Sequence, residues 1–331
     1  MGIKLQVKQS FYSNVQKSWR KGWQEVLGLL SPAQQRCEQC GYLYTAVREK
    51  EISFDKQLVS SAPLSSAYRY AHGHTLIRSL LTSRLALCLS CCATIPWQKE
   101  IRCFVCGKAE QCLDCERRKR RYFVCNRSSV QYDERMKEWL AAYKYRGNEQ
   151  LLTRLAPMLA ASFHQLTDEI ISRERQHMAK ATTSSPIVVR ECWDAIAYVP
   201  LSEVRLNERG FNQAEQLAQW LAKRYDLPLL RAVERIKHSV KMSLQPRVGR
   251  VENVANVFQG CAEQLQLFYY FLSTRKRVVK SSDKRPIRLL LIDDVYTTGT
   301  TANACCEAII RTAAQCGLSQ VELYVLTWAR S

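Results

Sequence analysis

The chain has 331 residues, of which 47% are hydrophobic and 24% charged, enough for two domains and incompatible with disorder throughout. Lys and Arg number 49 against 30 Asp and Glu, a formal charge of +19 that favours polyanionic or phosphate-rich partners and decides nothing about fold. The longest apolar runs, 267–272 and 289–292, fall far short of the roughly 18 residues of a spanning helix. The opening residues lack an apolar signal core and Gln6 breaks the myristoylation pattern, so a cytoplasmic protein with no membrane span is expected.

In residues 1–36, Trp19, Trp23, Val26, Leu27 and Leu30 recur three and four apart, predicting an amphipathic helix stopped near Pro32. Residues 37–125 hold ten of the 15 cysteines, a clustering that points to metal rather than disulfides. Four CxxC pairs occur in order: Cys37/Cys40, Cys88/Cys91, Cys103/Cys106 and Cys112/Cys115. The two-residue spacing lets both thiolates of a knuckle reach one ion, and two pairs make a tetrahedral all-thiolate site, so two structural zinc sites are expected. Sequential pairing and a cross-braced arrangement both satisfy the spacing. The 47-residue loop between Cys40 and Cys88 also brings His72 and His74 into consideration as ligands. Cys92 and Cys125 remain as ordinary buried thiols.

The basic run Arg117, Arg118, Lys119, Arg120, Arg121, with Tyr122 and Phe123 beside it, offers phosphate contacts and stacking together, as nucleic acid requires. A solvated basic surface explains it equally well. Eight thiolates with two Zn²⁺ contribute a net −4 and leave the chain at about +15.

From 126 to 331 helices and strands alternate. A helix is expected over 132–145, with Met136, Trp139, Leu140 and Tyr143 on one face, then a turn at Arg146–Gly147–Asn148 and a helix over 149–163. Residues 179–186 read as a polar linker. Strands follow at 195–199, 287–292 and 321–327, with helices at 212–224 and 300–315, implying a mostly parallel sheet with helices on both faces. Residues 261–286 break the alternation and read as a basic insertion, a loop or hairpin; residues 275–288 carry seven basic residues against Asp283.

The most informative segment is 289–302, LLLIDDVYTTGTTA. A buried strand delivers Asp293 and Asp294 at its carboxyl end, where open α/β sheets hold their ligands. Thr297, Thr298, Gly299, Thr300 and Thr301 then open a helix, and such a loop suits a phosphate monoester. Carboxylates accept from vicinal hydroxyls, so two acids before a phosphate cradle suggest a 5-phosphosugar. Neither GxGxxG nor a GK[ST] loop is present.

This segment resembles the phosphoribosyl-pyrophosphate (PRPP) motif of type I phosphoribosyltransferases. The whole chain resembles the ComF competence-protein family, in landmarks that run along nearly its full length. They are the four CxxC pairs, Tyr143–Lys144–Tyr145–Arg146–Gly147, Val199–Pro200–Leu201, Arg209–Gly210–Phe211–Asn212–Gln213, the PRPP motif and Ala329–Arg330. The resemblance implies a type I phosphoribosyltransferase-like α/β domain over 126–331, behind a small double zinc-ribbon module over 37–125. It implies that Asp293 and Asp294 hold the ribose hydroxyls with Mg²⁺, that residues 297–301 hold the 5-phosphate, and that Arg205, Arg209 and Gly210 belong to a pyrophosphate loop. Arg205 and Arg209 equally suit surface positions beside a helix start. Lys241, Arg247 and Arg250 lie where such enzymes keep a mobile hood, and Lys241 and Arg250 join the candidate nucleic-acid contacts.

Two functions fit. One is a competence factor handling single-stranded DNA during natural transformation, with a PRPP-binding domain and with helicase and recombination proteins as partners suggested by the family. The other is a working Mg²⁺-dependent phosphoribosyltransferase on a nucleobase or related acceptor. No segment announces an acceptor pocket, so the residues favour the first and leave turnover open.

Overall fold

The computed structural model describes residues 34–37, 39–45, 85, 87–145, 151–178, 192–236, 257–274 and 285–331. The helix expected within 1–36, His72 and His74, the turn at 146–148, the linker at 179–186, and Lys241, Arg247 and Arg250 lie outside these residues. The chain divides into two units: Met1–Leu58 with Ala62–Thr94, and Ile95–Ser331 joined by Val59–Ser61.

In the first unit, the described residues form a hairpin, β1 (Gln34–Arg36) paired antiparallel with β2 (Leu43–Thr45), and the short helix α1 (Leu89–Ala93). Between the strands, the Gly41 N–H donates to Cys37 O and the Cys37 N–H to Tyr42 O, both at 2.8 Å.

The second unit is built on a five-stranded sheet in the order β3 (Asn126–Gln131), β9 (Val321–Arg330), β8 (Ile287–Tyr296), β4 (Ala195–Tyr198), β5 (Leu229–Leu230), every neighbouring pair parallel. Helix α4 (Leu152–Met178) packs against β3 and β9, and α6 (Gln213–Tyr225) against β4 and β8. Helix α8 (Thr300–Gln315) packs against β8, β9 and β7 (Phe258–Gly260), with α7 (Ala262–Thr274) beside it. β7 pairs antiparallel with β6 (Val233–Arg235). The remaining helices among the described residues are α2 (Leu113–Arg117), α3 (Glu134–Tyr145) and α5 (Glu203–Arg209). This is the phosphoribosyltransferase-like α/β architecture the sequence implies, together with two cysteine tetrads. Among the described residues no helix is long and apolar enough to cross a membrane.

The central strands are apolar on both faces because both faces are covered. Leu289 and Leu291 point to one core with Cys305, Cys306, Ile309, Leu265 and Phe268. Alternation along the strand sends Leu290 and Ile292, both fully buried, to the other face. Edge strand β3, NRSSVQ, has no apolar pattern by which the sequence could signal it. Its buried polar groups are satisfied instead: Ser128 Oγ lies 2.7 Å from Thr327 Oγ1, Ser129 Oγ accepts from Ser162 at 3.0 Å, and Arg127 pairs with Glu169. Its outer edge is covered by residues 96–98, through Gln98 N–H to Ser129 O and Gln131 N–H to Pro96 O.

Two further differences have physical causes. α4 runs to Met178 rather than 163 because Leu166, Ile170 and Ile171 extend its buried face. Residues 262–274 form a helix rather than a loop or hairpin, with Leu265, Phe268 and Leu272 at helical spacing against α8. Within the basic run 275–288, Arg285 forms a two-pronged pair with Asp194, and Arg288, already in β8, pairs with Glu174 and Glu322, so both charges are structural.

α4 and α6 meet through His164 Nε2 and Tyr225 Oη, 2.7 Å apart. Burial, then the nearby Arg224 charge, lowers the His164 imidazole from 6.5 to about 4. The unfolded chain therefore takes up this proton first, and the stability present at neutral pH is lost as pH falls from about 6.5 towards 4. Between pH 7 and 5.5 this group should cost about 1 kcal/mol. Urea unfolding of wild type and His164→Gln at both pH values should show that increment in wild type alone.

Candidate functional site

β4 leads through α5 and α6 to β5 on one side, whereas β8 leads through α8 to β9 on the other. The strand order thus reverses between β4 and β8, the position at which open parallel sheets bind ligands beyond their carboxyl ends. Pairing between the two stops at Tyr198 and Ile292, while β8 continues beside β9 through Tyr296. Asp293 and Asp294 are the first residues of β8 past the end of β4.

The two acids point to opposite faces of the strand. Asp294 Oδ2 lies 2.5 Å from Lys144 Nζ, brought by the last turn of α3. Asp293 Oδ1 accepts from the Asp294 N–H at 2.8 Å. Desolvation, then the Asp294 charge, pushes the Asp293 carboxyl up to about 8, with Lys144 opposing. A group that binds this pair by its charged form must displace that proton or supply compensating positive charge. Lys144 was marked by the sequence only as part of a landmark; its placement on Asp294 gives it a role.

The loop 297–299 leads into α8. Gly299 is the N-cap with φ +74°, and a β-carbon there would collide with the Tyr296 phenol, so glycine is required twice over. Thr297 and Thr298 are exposed, and Thr298 Oγ1 lies 2.9 Å from Thr300 Oγ1. The structure therefore brings Asp293, Asp294 and Thr297, Thr298, Gly299, Thr300 and Thr301 to one strand end and one helix start.

Arg205 and Arg209 lie on a helix rather than in an open turn. Ser202 caps α5 through the Arg205 N–H at 3.3 Å, and Gly210 ends it at φ +78°. Arg209 is engaged: Nη1 donates to Gln213 Oε1 at 2.9 Å, Nη2 donates to Tyr145 Oη at 2.8 Å, and the guanidinium faces the Tyr145 ring at 4.8 Å. Arg205 is exposed and stands near Arg235 of β6, whose guanidinium is lowered by desolvation and then by that neighbouring charge. Asn212 is structural, since its Oδ1 caps α6 at Ala214 and Glu215 while Nδ2 donates to Val199 O at 3.0 Å. Phe211 packs on Tyr143 with ring centroids 5.2 Å apart, so the two sequence landmarks meet in space.

The eight CxxC cysteines assemble as two sequential tetrads, Cys37, Cys40, Cys88, Cys91 and Cys103, Cys106, Cys112, Cys115. Within each tetrad the four sulfurs lie within 4.8 Å of one another. A tetrahedral ion with Zn–S of about 2.3 Å requires sulfurs about 3.8 Å apart, and Cys40 Sγ and Cys88 Sγ stand at 3.7 Å. Both donor sets fit structural zinc. Burial raises the Cys37 thiol, but the amides of Cys88, Cys40 and Gln39 aimed at its sulfur bring it down to about 6. Burial likewise opposes, and the Cys106 and Val105 amides favour, the Cys103 thiolate, with a net lowering.

The second tetrad belongs to the core of the sheet unit: Cys106 and Cys112 are buried in the same cluster as Leu289, Leu291 and Ile309. A β-carbon on Gly107 would meet Asn126 O at 2.9 Å, and Asn126 Nδ2 donates to Cys106 O at 3.1 Å, so β3 and the knuckle touch backbone to backbone. In the basic run, Arg117, Lys119, Arg120 and Arg121 are exposed, whereas Arg118 donates to Thr298 O at 2.5 Å. Phe123 is not available for stacking as the sequence suggested. It is 3% exposed and packs edge-on against Tyr296 at 6.3 Å. Phe104, on the knuckle and 76% exposed, is the aromatic that faces solvent there.

Cys103→Ser should lower bound zinc by about one equivalent per chain, measured by atomic emission, and destabilise the sheet unit, because its knuckle is part of that core. No protein-family model matches the chain. Among curated proteins, it is 24% identical to competence protein ComFC of Bacillus subtilis over 246 residues, 72% of this chain and 83% of that protein. It is 26% identical to competence protein ComFC of Streptococcus pneumoniae over 222 residues, 66% of this chain and 78% of that protein. It is also 29% identical to competence protein F of Haemophilus influenzae over 137 residues, 41% of this chain and 51% of that protein. The chain, a parallel α/β sheet with two cysteine tetrads, is thus similar to the ComF/ComFC competence proteins over up to 72% of its length.

Proposed function

We propose that this chain is a ComF-type competence factor that handles single-stranded DNA during natural transformation and binds PRPP with Mg²⁺ at the end of β8. The observation that carries the reading is the juxtaposition of Asp293 and Asp294 with the loop 297–301 at the β4/β8 switch point. In this reading, the acids accept from the ribose hydroxyls, and the backbone amides and hydroxyls of 297–301 take the 5-phosphate at the start of α8. Arg205, with Arg235 near it, offers paired positive charge suited to the diphosphate, while Arg209 and Gly210 shape the end of α5. Mg²⁺ would enter with PRPP, for which Asp293 and Asp294 are the available carboxylates.

The competence role comes from the named relatives, and the DNA reading from charge. Arg117, Lys119, Arg120 and Arg121 are exposed beside the residues that hold the loop, and Phe104 supplies an aromatic face. The second reading, an active phosphoribosyltransferase, draws on the same acids and loop. Turnover would need leaving-group charge neutralised by Arg, Lys and the metal rather than a protein nucleophile.

The test is a double variant. Asp293→Ala/Asp294→Ala should abolish PRPP binding in calorimetry while leaving zinc content and affinity for short single-stranded DNA unchanged. If the four exposed cations contact phosphates, log affinity for that DNA should fall with log salt at a slope of about −3. Retained PRPP binding in the double variant, or a flat salt response, would count against the corresponding half of the proposal.

A further inference from the structure

Two arginines that the proposed ligand chemistry does not use converge on the back of the phosphate loop. Arg330, near the end of β9, is 6% exposed. Its Nη1 donates to Tyr296 O at 3.2 Å, Thr297 O at 2.6 Å and Ser331 O at 2.9 Å. Its Nη2 donates to Cys106 Sγ at 3.4 Å, and its plane faces the Tyr296 ring at 4.8 Å. Arg118, which follows directly on α2 of the knuckle, takes the next carbonyl, Thr298 O. One step further along, the Tyr122 N–H donates to Asn303 Oδ1 at 3.0 Å, and Asn303 Nδ2 returns to Arg120 O at 3.4 Å.

The carbonyls of three successive residues, 296 to 298, are therefore held from behind by guanidinium groups. A trans peptide points its C=O and the following N–H in opposite directions. Holding these carbonyls turns the N–H groups of Thr297, Thr298 and Gly299 to the other side of the loop, the side on which an anion would be gathered. The far ends of the two arginines are fixed by the cysteine knuckle: Arg330 bonds one of its sulfurs, and Arg118 is three residues beyond Cys115. A zinc ion with four thiolates carries net charge −2, a counter-charge for both guanidinium groups.

We infer that the second cysteine tetrad is the scaffold that pre-orients the phosphate loop, with Arg330 as the positioning residue between them, so that anion binding at 297–301 depends on metal at Cys103, Cys106, Cys112 and Cys115. The inference rests on reading 297–301 as a phosphate cradle. It goes beyond that reading by making the zinc site a control point for ligand affinity rather than a remote fold staple.

The experiment follows two readouts in the full chain loaded with zinc: the backbone amide resonances of Thr297, Thr298, Thr300 and Thr301 after 15N-threonine labelling, and PRPP affinity with Mg²⁺. Arg330→Met should keep both zinc equivalents while these resonances shift and broaden, and affinity should fall about 10- to 100-fold. Arg330→Lys, able to reach one carbonyl but not to fork, should recover part of both. Cys112→Ser, losing one zinc equivalent, should reproduce the resonance change; if that variant does not fold, Arg330→Met decides alone. Unchanged threonine resonances in Arg330→Met would overturn the inference. If wild type binds no PRPP, the functional reading fails separately, and the resonances still decide whether the knuckle holds the loop.

Discussion

Strand β8 outruns its neighbour. It pairs with β4 only as far as Ile292 and then continues beside β9 to Tyr296. That overhang carries Asp293 and Asp294 past the end of β4, still paired with β9, at the point where strand order reverses, and it fixes where the chain must turn into α8. The remaining features of the site answer to this geometry. Gly299 makes the turn at a positive φ under the Tyr296 ring. Lys144 balances Asp294 from one face, and the knuckle with Arg118 and Arg330 supports the loop from the other.

The electrostatics follow the same division. At the end of β8, two carboxylates lie close enough that desolvation and mutual repulsion push the Asp293 carboxyl up to about 8. Behind the loop, arginines are spent on carbonyl oxygens and a cysteine sulfur rather than on solvent. Part of the chain's excess positive charge is therefore structural: Arg118, Arg127, Arg285, Arg288 and Arg330 all have specific partners. The exposed remainder of the 117–121 run is what stays available for a polyanion.

Much of this was legible in the sequence wherever one local rule dominated. Apolar runs 195–199, 287–292 and 321–327 became central strands, and 212–224 and 300–315 became helices, because burial on both faces leaves an unmistakable pattern. The acids and the threonine-glycine loop were legible because their chemistry and spacing coincide. Strand β3 was not, since NRSSVQ is stabilised by pairwise polar contacts with Thr327, Ser162 and Glu169 that no periodicity announces. Arg330 and Lys144 could be marked as landmarks, but their partners, Tyr296, Thr297, Cys106 and Asp294, are distant in sequence. The burial of Phe123 escaped for the same reason: flanking cations suggested an exposed stacking ring, and a tertiary contact with Tyr296 took it inside.

The central claim is that the end of β8 is a PRPP site in a protein that also handles DNA. The most direct test titrates PRPP with Mg²⁺ into the zinc-loaded chain by calorimetry, with and without short single-stranded DNA. Saturable binding of one PRPP per chain is the result the account predicts, and a change of that affinity with the DNA would tie the two activities together. Absence of PRPP binding under both conditions would contradict it and leave a phosphoribosyltransferase-like fold without its ligand.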